Sequence, residues 1–161
     1  RELTAMNGRA RDRFRADHIG FLFQQFNLLP FLSVLDNVTA ALTFSPAKRA
    51  RLKGSPEQEA CRLLAELQLP DEALHRPVHA LSIGQQQRVA AARALIGSPP
   101  LVIADEPTSA LDTDNRAAFI KLLFEVCVQQ GSTLVFVSHA PYLEPLFPRV
   151  ENLQLLNRRA A

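Results

Sequence analysis

The stretch LVIADEPTSALD, residues 101–112, decides the fold that this sequence predicts. Four apolar residues run without interruption into two adjacent acids, Asp105 and Glu106. A short, β-branched apolar run of this kind is typical of a strand buried on both faces, as in a parallel sheet. Open α/β sheets bind their ligands beyond the carboxyl ends of their strands, where these acids would lie. Because strand residues alternate in direction, we expect one acid to face a metal ion and the other to face a reacting water.

An isolated pair of acids more often only solvates a strand end, so the interpretation depends on the flanking sequence. Two further apolar runs, residues 19–23 and 133–137, lead into Gln24 and into Ser138 and His139. Between them, the stretch LSIGQQQR at residues 81–88 has a serine suited to cap a helix. The unpaired amides of such a first helical turn form an anion site, although an ordinary capped helix would share this pattern.

In this order and spacing, the chain resembles the ATP-binding cassette (ABC) ATPases, which are the nucleotide-hydrolysing subunits of ABC transporters. Residues 101–106 resemble the Walker B strand, 109–112 the D-loop and 81–85 the signature motif, while Gln24 and His139 match the Q-loop glutamine and the switch histidine. Ile83 stands where the family pattern LSGGQ has its first glycine. If Ile83 points away from the phosphate, Ser82 and Gly84 suffice for binding, and if it points inward, phosphate contact is impaired.

The resemblance implies a role for each matching residue. Asp105 would hold Mg²⁺, through water, and Glu106 would be the general base for the attacking water. His139 would contact the γ-phosphate of ATP, and Gln24 would contact the metal or the water. Ser82, Gly84 and Gln85 would bind the phosphate of an ATP held by a second ATPase subunit, and Asp112 would report across that interface.

One family motif is missing from these residues. A P-loop has the pattern G-x-x-x-x-G-K-[ST], but none of the three lysines, Lys48, Lys53 and Lys121, follows a glycine. In the family, this motif lies upstream of the Q-loop. We therefore expect the chain to be N-terminally truncated, the C-terminal portion of a longer ATPase that has the P-loop. We expect these 161 residues alone to be inactive in ATP hydrolysis.

The predicted fold is α/β, with an incomplete, mostly parallel, P-loop NTPase-like (RecA-like) core and an α-helical signature subdomain. We expect a partial core with the Q-loop at residues 1–35, a helical subdomain at 36–97 and the catalytic core at 98–161. Within the subdomain, Asp36 is expected to cap one helix and Ser55 another, with a basic linker at 45–54. Further helices are expected at 113–130 and 142–147.

Composition limits the possible partners. The net charge of +2 does not favour nucleic acid, and no apolar run is as long as the ~20 residues that span a bilayer. The apolar loop, which we define as residues 26–32 (FNLLPFL), is instead typical of a contact surface. By resemblance it would receive a membrane-spanning transporter subunit, which places the protein in the cytoplasm, peripheral on the inner membrane of a bacterium.

Details such as IADEPTSALD are most similar to the lipoprotein-release and macrolide-export branch of the family. Two alternatives remain open. One is a pseudo-ATPase or regulatory binding module without a P-loop. The other is a soluble ABC ATPase of the DNA-repair type, which the short, weakly basic helical insertion disfavours.

Overall fold

The computed structural model describes residues 2–109, 111 and 113–153. Three strands, β1 (Ile19–Leu22), β2 (Leu101–Asp105) and β3 (Thr133–Val137), form a parallel sheet with β2 in the centre. Helices connect the strands, as parallel pairing requires. The described helices are α1 (Gly8–His18), α2 (Val34–Thr39), α3 (Pro46–Ala50), α4 (Pro56–Glu66), α5 (Ile83–Leu95) and α6 (Thr113–Gln130), with 3₁₀ turns at Ala40–Leu42, Asp71–Ala73, Val78–Ala80 and Pro141–Leu146. The predicted α/β class with a parallel sheet is confirmed.

The two faces of the sheet differ in how well they are covered. On the core face, Leu22, Val102 and Ala104 are buried, and Gly20 lies so close to α5 that an added Cβ would sit 2.0 Å from the carbonyl oxygen of Ala94. Glycine is thus required for the close approach of β1 to α5.

The opposite face is only partly covered. Phe21, Ile103 and Val135 form one row across the three strands, and Val135 remains 44% exposed. The expectation that β2 is buried on both faces is therefore wrong, because the described core packs on the side of Val102 and Ala104.

The segment between β1 and β2 is largely helical. Val38 of α2, Leu63 and Leu64 of α4 and Leu95 of α5 are fully buried in one core. As predicted, Ser55 caps α4.

Two local predictions in this segment are wrong. Ser33, not Asp36, caps α2, since the Ser33 oxygen accepts the amide of Asp36 at 3.1 Å. The stretch 45–54 is not only a linker but contains α3, which Ser45 caps by accepting the amide of Lys48 at 3.0 Å.

The C-terminal part follows the prediction more closely. Helix α6 ends at Gln130, and Gly131 follows with a φ of 68°, the left-handed conformation in which glycine commonly ends helices. The helix expected at 142–147 is a 3₁₀ helix at Pro141–Leu146, in which the amides of Leu143 and Phe147 each donate to the carbonyl oxygen three residues earlier at 3.1 Å. No helix among the described residues has the length and apolar content to cross a bilayer.

The two cysteines are free thiols in different surroundings. Cys127 of α6 is buried, and burial raises the pKa of its thiol to about 11. Cys61 of α4 is partly exposed.

Candidate functional site

The adjacent acids lie where β2 ends. Asp105 is the last residue of the strand, is exposed and pairs in register with Val137 of β3. Glu106 has already left the strand: its φ is 43°, and its amide donates to the carbonyl oxygen of Val137 at 3.0 Å. The simple alternation expected of a strand therefore does not describe this pair. Left-handed residues other than glycine are uncommon and cluster at functional sites.

The carboxylate of Glu106 is held by the segment that follows β3. It accepts the backbone amide of His139 and, at 3.3 Å, the hydroxyl of Ser138. The parallel pairing of β2 with β3 thus brings together residues 33 positions apart in sequence. Glu106 contacts the main chain of His139, a residue that is itself exposed. Ser138 was not predicted as a site residue, although its place directly before His139 was a usable signal.

Gln24 lies at the same edge of the sheet. Leu22, the last residue of β1, pairs with Ala104 of β2, so both strands end on this side. Gln24 is exposed in the turn that follows. The structure thus places Asp105 at the carboxyl end of β2, and it places Gln24, Glu106 and His139 just beyond the carboxyl ends of β1, β2 and β3. Asp112 lies outside the described residues.

The predicted signature residues begin α5. The Ser82 oxygen accepts the amide of Gln85 at 3.3 Å, and the Gln85 side chain accepts the amide of Ser82 at 3.0 Å, which makes a reciprocal capping box. An added Cβ on Gly84 would lie 3.9 Å from Leu111, a residue of the loop that follows β2. The side chain of Ile83 is 54% exposed.

A buried glutamine links this helix to the acids. Gln87 is fully buried and donates from Nε2 to the carbonyl oxygen of Pro107, the residue after Glu106, at 2.5 Å. Its Oε1 has no partner among the described residues. Sequence reasoning missed this contact, for which the run of three glutamines was the available signal.

The donor set at the sheet edge suits a weakly held magnesium ion. No cluster of three or more His, Cys, Asp or Glu side chains is present in the part of the chain that the structure describes. Mg²⁺ does not need one, because it usually keeps several waters and binds one or two carboxylates together with substrate phosphates. The exposed carboxylate of Asp105 fits that role.

The apolar loop has exposed side chains on an anchored backbone. Leu29 is 49% exposed and Phe31 is 88% exposed. Buried Asn37 accepts the amide of Leu29 at 2.8 Å and donates to the carbonyl oxygens of Leu29 and Ser33, each at 3.0 Å. Such a loop can contact a partner with little further ordering of its backbone.

A cleft borders this loop. His79 contacts the carbonyl oxygen of Pro30 through Nδ1 at 2.8 Å, and its ring lies edge-on to that of Phe31. The cleft has a volume of about 400 Å³, and its lining includes Gln25, Phe26 and Gln86. The roles of Asn37 and His79 were not predicted.

A family model and several curated proteins match most of this chain in sequence. A family model described as "ABC transporter" matches residues 2–109, which include the Walker B-like acids and the signature-like helix. The chain belongs to the ABC transporter family. More specifically, it is an ABC ATP-binding domain similar to those of lipoprotein-release and macrolide-export systems, as predicted.

Two curated ABC relatives illustrate this similarity. The lipoprotein-releasing system ATP-binding protein LolD of Porphyromonas gingivalis is 38% identical over 138 residues, covering 86% of this chain and 61% of LolD. The macrolide export ATP-binding/permease protein MacB of Burkholderia thailandensis is 40% identical over 139 residues, covering 86% of this chain and 20% of MacB. The chain therefore spans about three fifths of the length of LolD.

Solved structures of ABC cassettes share the fold. The dimeric bacterial ABC transporter cassette MJ0796 matches with a TM-score of 0.71 at 36% identity, covering 86% of this chain and 59% of that one. The same cassette bound to ADP and Pi matches with a TM-score of 0.72. These matches confirm an incomplete ABC cassette fold.

Proposed function

We propose that the protein containing this sequence binds and hydrolyses ATP to drive export through a membrane-spanning partner subunit. The observation that carries the proposal is the fixed carboxylate of Glu106, which lies beside Asp105 at the carboxyl edge of the sheet. Phosphoryl transfer to water needs an oriented water and charge neutralisation more than covalent chemistry. A carboxylate held by two hydrogen bonds can orient such a water.

Each residue at the edge has a proposed task. Glu106 acts as general base for the attacking water, and the bonds from His139 and Ser138 keep its carboxylate in place. Asp105 would hold Mg²⁺ through water, and that ion would neutralise charge on the phosphates. His139 would contact the γ-phosphate of bound ATP, and Gln24 would contact the metal or the water.

The start of α5 serves a second ATPase subunit. Ser82, Gly84 and Gln85 bind the phosphate of an ATP held by that subunit, because the first-turn amides of a helix attract anions. Asp112 reports across the same interface. The solved dimers of the similar cassette MJ0796, one of them with ADP and Pi, support this arrangement. Since these 161 residues hold no P-loop pattern, we propose that they do not turn over ATP by themselves.

The apolar loop is the proposed contact for the membrane-spanning subunit. Its exposed Leu29 and Phe31 and the adjoining cleft support this role. The proposed location is the cytoplasmic face of the membrane, and nucleic acid is not a proposed partner. We also retain, as a proposal, the division into a partial core (1–35), a helical subdomain (36–97) and a catalytic core (98–161).

The test is the variant Glu106→Gln in the full-length protein. We expect ATP turnover to fall by about 100-fold or more, because an amide cannot accept the proton of the water, while ATP binding is retained. The matched control is Glu125→Gln, which changes an exposed glutamate of α6 paired with Lys121 at 4.0 Å. Turnover should be unaffected by the control.

Unchanged turnover in Glu106→Gln would contradict the assigned role of this carboxylate. A full-length protein that binds its membrane partner but never hydrolyses ATP would support the pseudo-ATPase alternative. Glu106-dependent turnover by the 161 residues alone would contradict their proposed inactivity.

A further inference from the structure

The guanidinium of Arg93 joins α5 to the turn that follows Gln24. Arg93 donates to the carbonyl oxygen of Asn27 at 2.6 Å and also to that of Phe26. Burial lowers the pKa of Arg93. Both acceptors are main-chain carbonyls, so the position of this partly buried charge depends on the conformation of the turn.

The turn itself has an unusual backbone. Phe26 and Asn27 have φ values of 57° and 50°, so two consecutive residues are left-handed. Such pairs are unfavourable for residues with a Cβ and persist where the surroundings fix them. The turn lies between Gln24 and the exposed part of the apolar loop, and its conformation decides how these two are oriented relative to each other.

The face of α5 that carries Arg93 also carries Gln86, which lies near the same turn. Gln86 precedes Arg93 by seven residues, or about two helical turns, and the two therefore share a face. Gln86 lines the cleft together with Gln25 and Phe26. Its side chain donates to the carbonyl oxygen of Leu81 at 3.0 Å, directly before Ser82.

We infer that Arg93 is a positioning residue that fixes the Phe26–Asn27 turn to α5, so that the Gln24 segment and the helix start at Ser82 move as one unit. A partner that displaces the apolar loop would then also displace the start of α5. The functional meaning of this link rests on the proposed function, which assigns roles to Gln24 and Ser82. The anchoring of the turn by Arg93 can be tested without ATP.

The experiment compares Arg93→Lys with Arg88→Lys in the full-length protein without ATP, by amide hydrogen exchange measured by NMR. Arg88 is a matched control, since it lies on the same helix and donates at 2.7 Å to the carbonyl oxygen of Gln68, another left-handed residue. A lysine cannot bridge two carbonyls with a planar fork.

For Arg93→Lys we expect the amides of Phe26 and Asn27 to exchange about tenfold faster or more. The side-chain amide signals of Gln86 should shift in the same variant. Arg88→Lys should leave these signals unchanged and speed exchange at Gln68 instead. Arg93→Gln, whose side chain is shorter and neutral, should speed exchange at the turn at least as much as Arg93→Lys does.

Two results would overturn the inference. One is equal exchange at Phe26 and Asn27 in the Arg93 and Arg88 variants. The other is an equal loss of protection at the turn and within β2 in both Arg93 variants, which would make Arg93 a residue of general stability only. An absence of ATP turnover in the full-length protein would contradict the proposed function and leave the result for Arg93 intact.

Discussion

At the scale of single residues, Lys48 is a buried cation with an unusual acidity. Its side chain is 4% exposed, and Nζ donates to the carbonyl oxygen of Ile19 in β1 at 2.9 Å. Desolvation, and secondarily repulsion by Arg51, lowers the pKa of Lys48 from 10.5 to about 8, while Asp17 acts in the opposite direction. The charged form of Lys48 is therefore disfavoured in the folded protein.

This acidity predicts a pH-dependent effect of Lys48→Met. Between pH 8 and 10.5 the unfolded chain binds more protons at Lys48 than the folded chain, so the wild type gains stability as the pH rises. Relative to the variant, the free energy of unfolding should rise by up to ~3 kcal/mol over this range, as the pKa shift implies. Urea unfolding at pH 7.5 and 10.5 measures the difference.

The same substitution at Lys121, whose side chain is 80% exposed, is the control and should show no such trend. Parallel pH profiles for the wild type and Lys48→Met would show that Lys48 keeps its ordinary acidity in the folded protein.

Other residue roles differ in how far the sequence predicts them. Gln24, Asp105 and His139 follow apolar runs, so their common edge is predictable from strand polarity. The left-handed φ of Glu106 cannot be predicted in this way, because it accompanies a hydrogen bond to Val137 of another strand. The contacts of Arg93 also could not be predicted, since they join residues 66 and 67 positions apart and leave no periodic pattern.

At the scale of secondary structure, α4 and α5 start with equivalent capping boxes, at Ser55 and Ser82. Replacing either serine by alanine should destabilise the chain by about 1 kcal/mol, because one helix-start amide loses its acceptor. The oxygen of Ser82 accepts from Gln85, and its hydroxyl hydrogen can still be donated to a phosphate. Only Ser82→Ala should therefore also weaken ATP-dependent dimerisation.

Denaturant unfolding of the chain and light scattering of the full-length protein with ATP measure the two effects separately. If Ser55→Ala and Ser82→Ala impair dimerisation equally, Ser82 acts only as a helix cap.

The first residues of the helices also show which features the sequence alone does not predict. Ser55 and Ser82 precede clear helical patterns and were predicted. Ser33 and Asp36 are both good capping residues three positions apart, and the sequence alone favoured the wrong one. Helix α3 has five residues, too few to show a helical period.

At the scale of the whole molecule, one face of the sheet leaves apolar side chains exposed to solvent. Val135 and Val137 of β3 are each 44% exposed on this face, beside half-buried Ile103 and Phe21. Contiguous exposed apolar surface favours association. We predict that the chain self-associates and that Val135→Lys reduces this association, as measured by sedimentation velocity over a range of concentrations.

Val128→Lys is the control, because Val128 is a 75% exposed valine of helix α6 and not of the sheet. It should leave the association unchanged. A wild-type chain that sediments as a monomer at all concentrations would contradict the prediction.

The different surroundings of the two thiols also provide a built-in reporter. In the folded chain a maleimide dye should attach at Cys61 and spare Cys127, whose thiol is buried and weakly acidic. A second dye would attach only when α6 separates from the core. The rate at which doubly labelled chain accumulates would therefore report how often that helix opens, and no cysteine would have to be introduced.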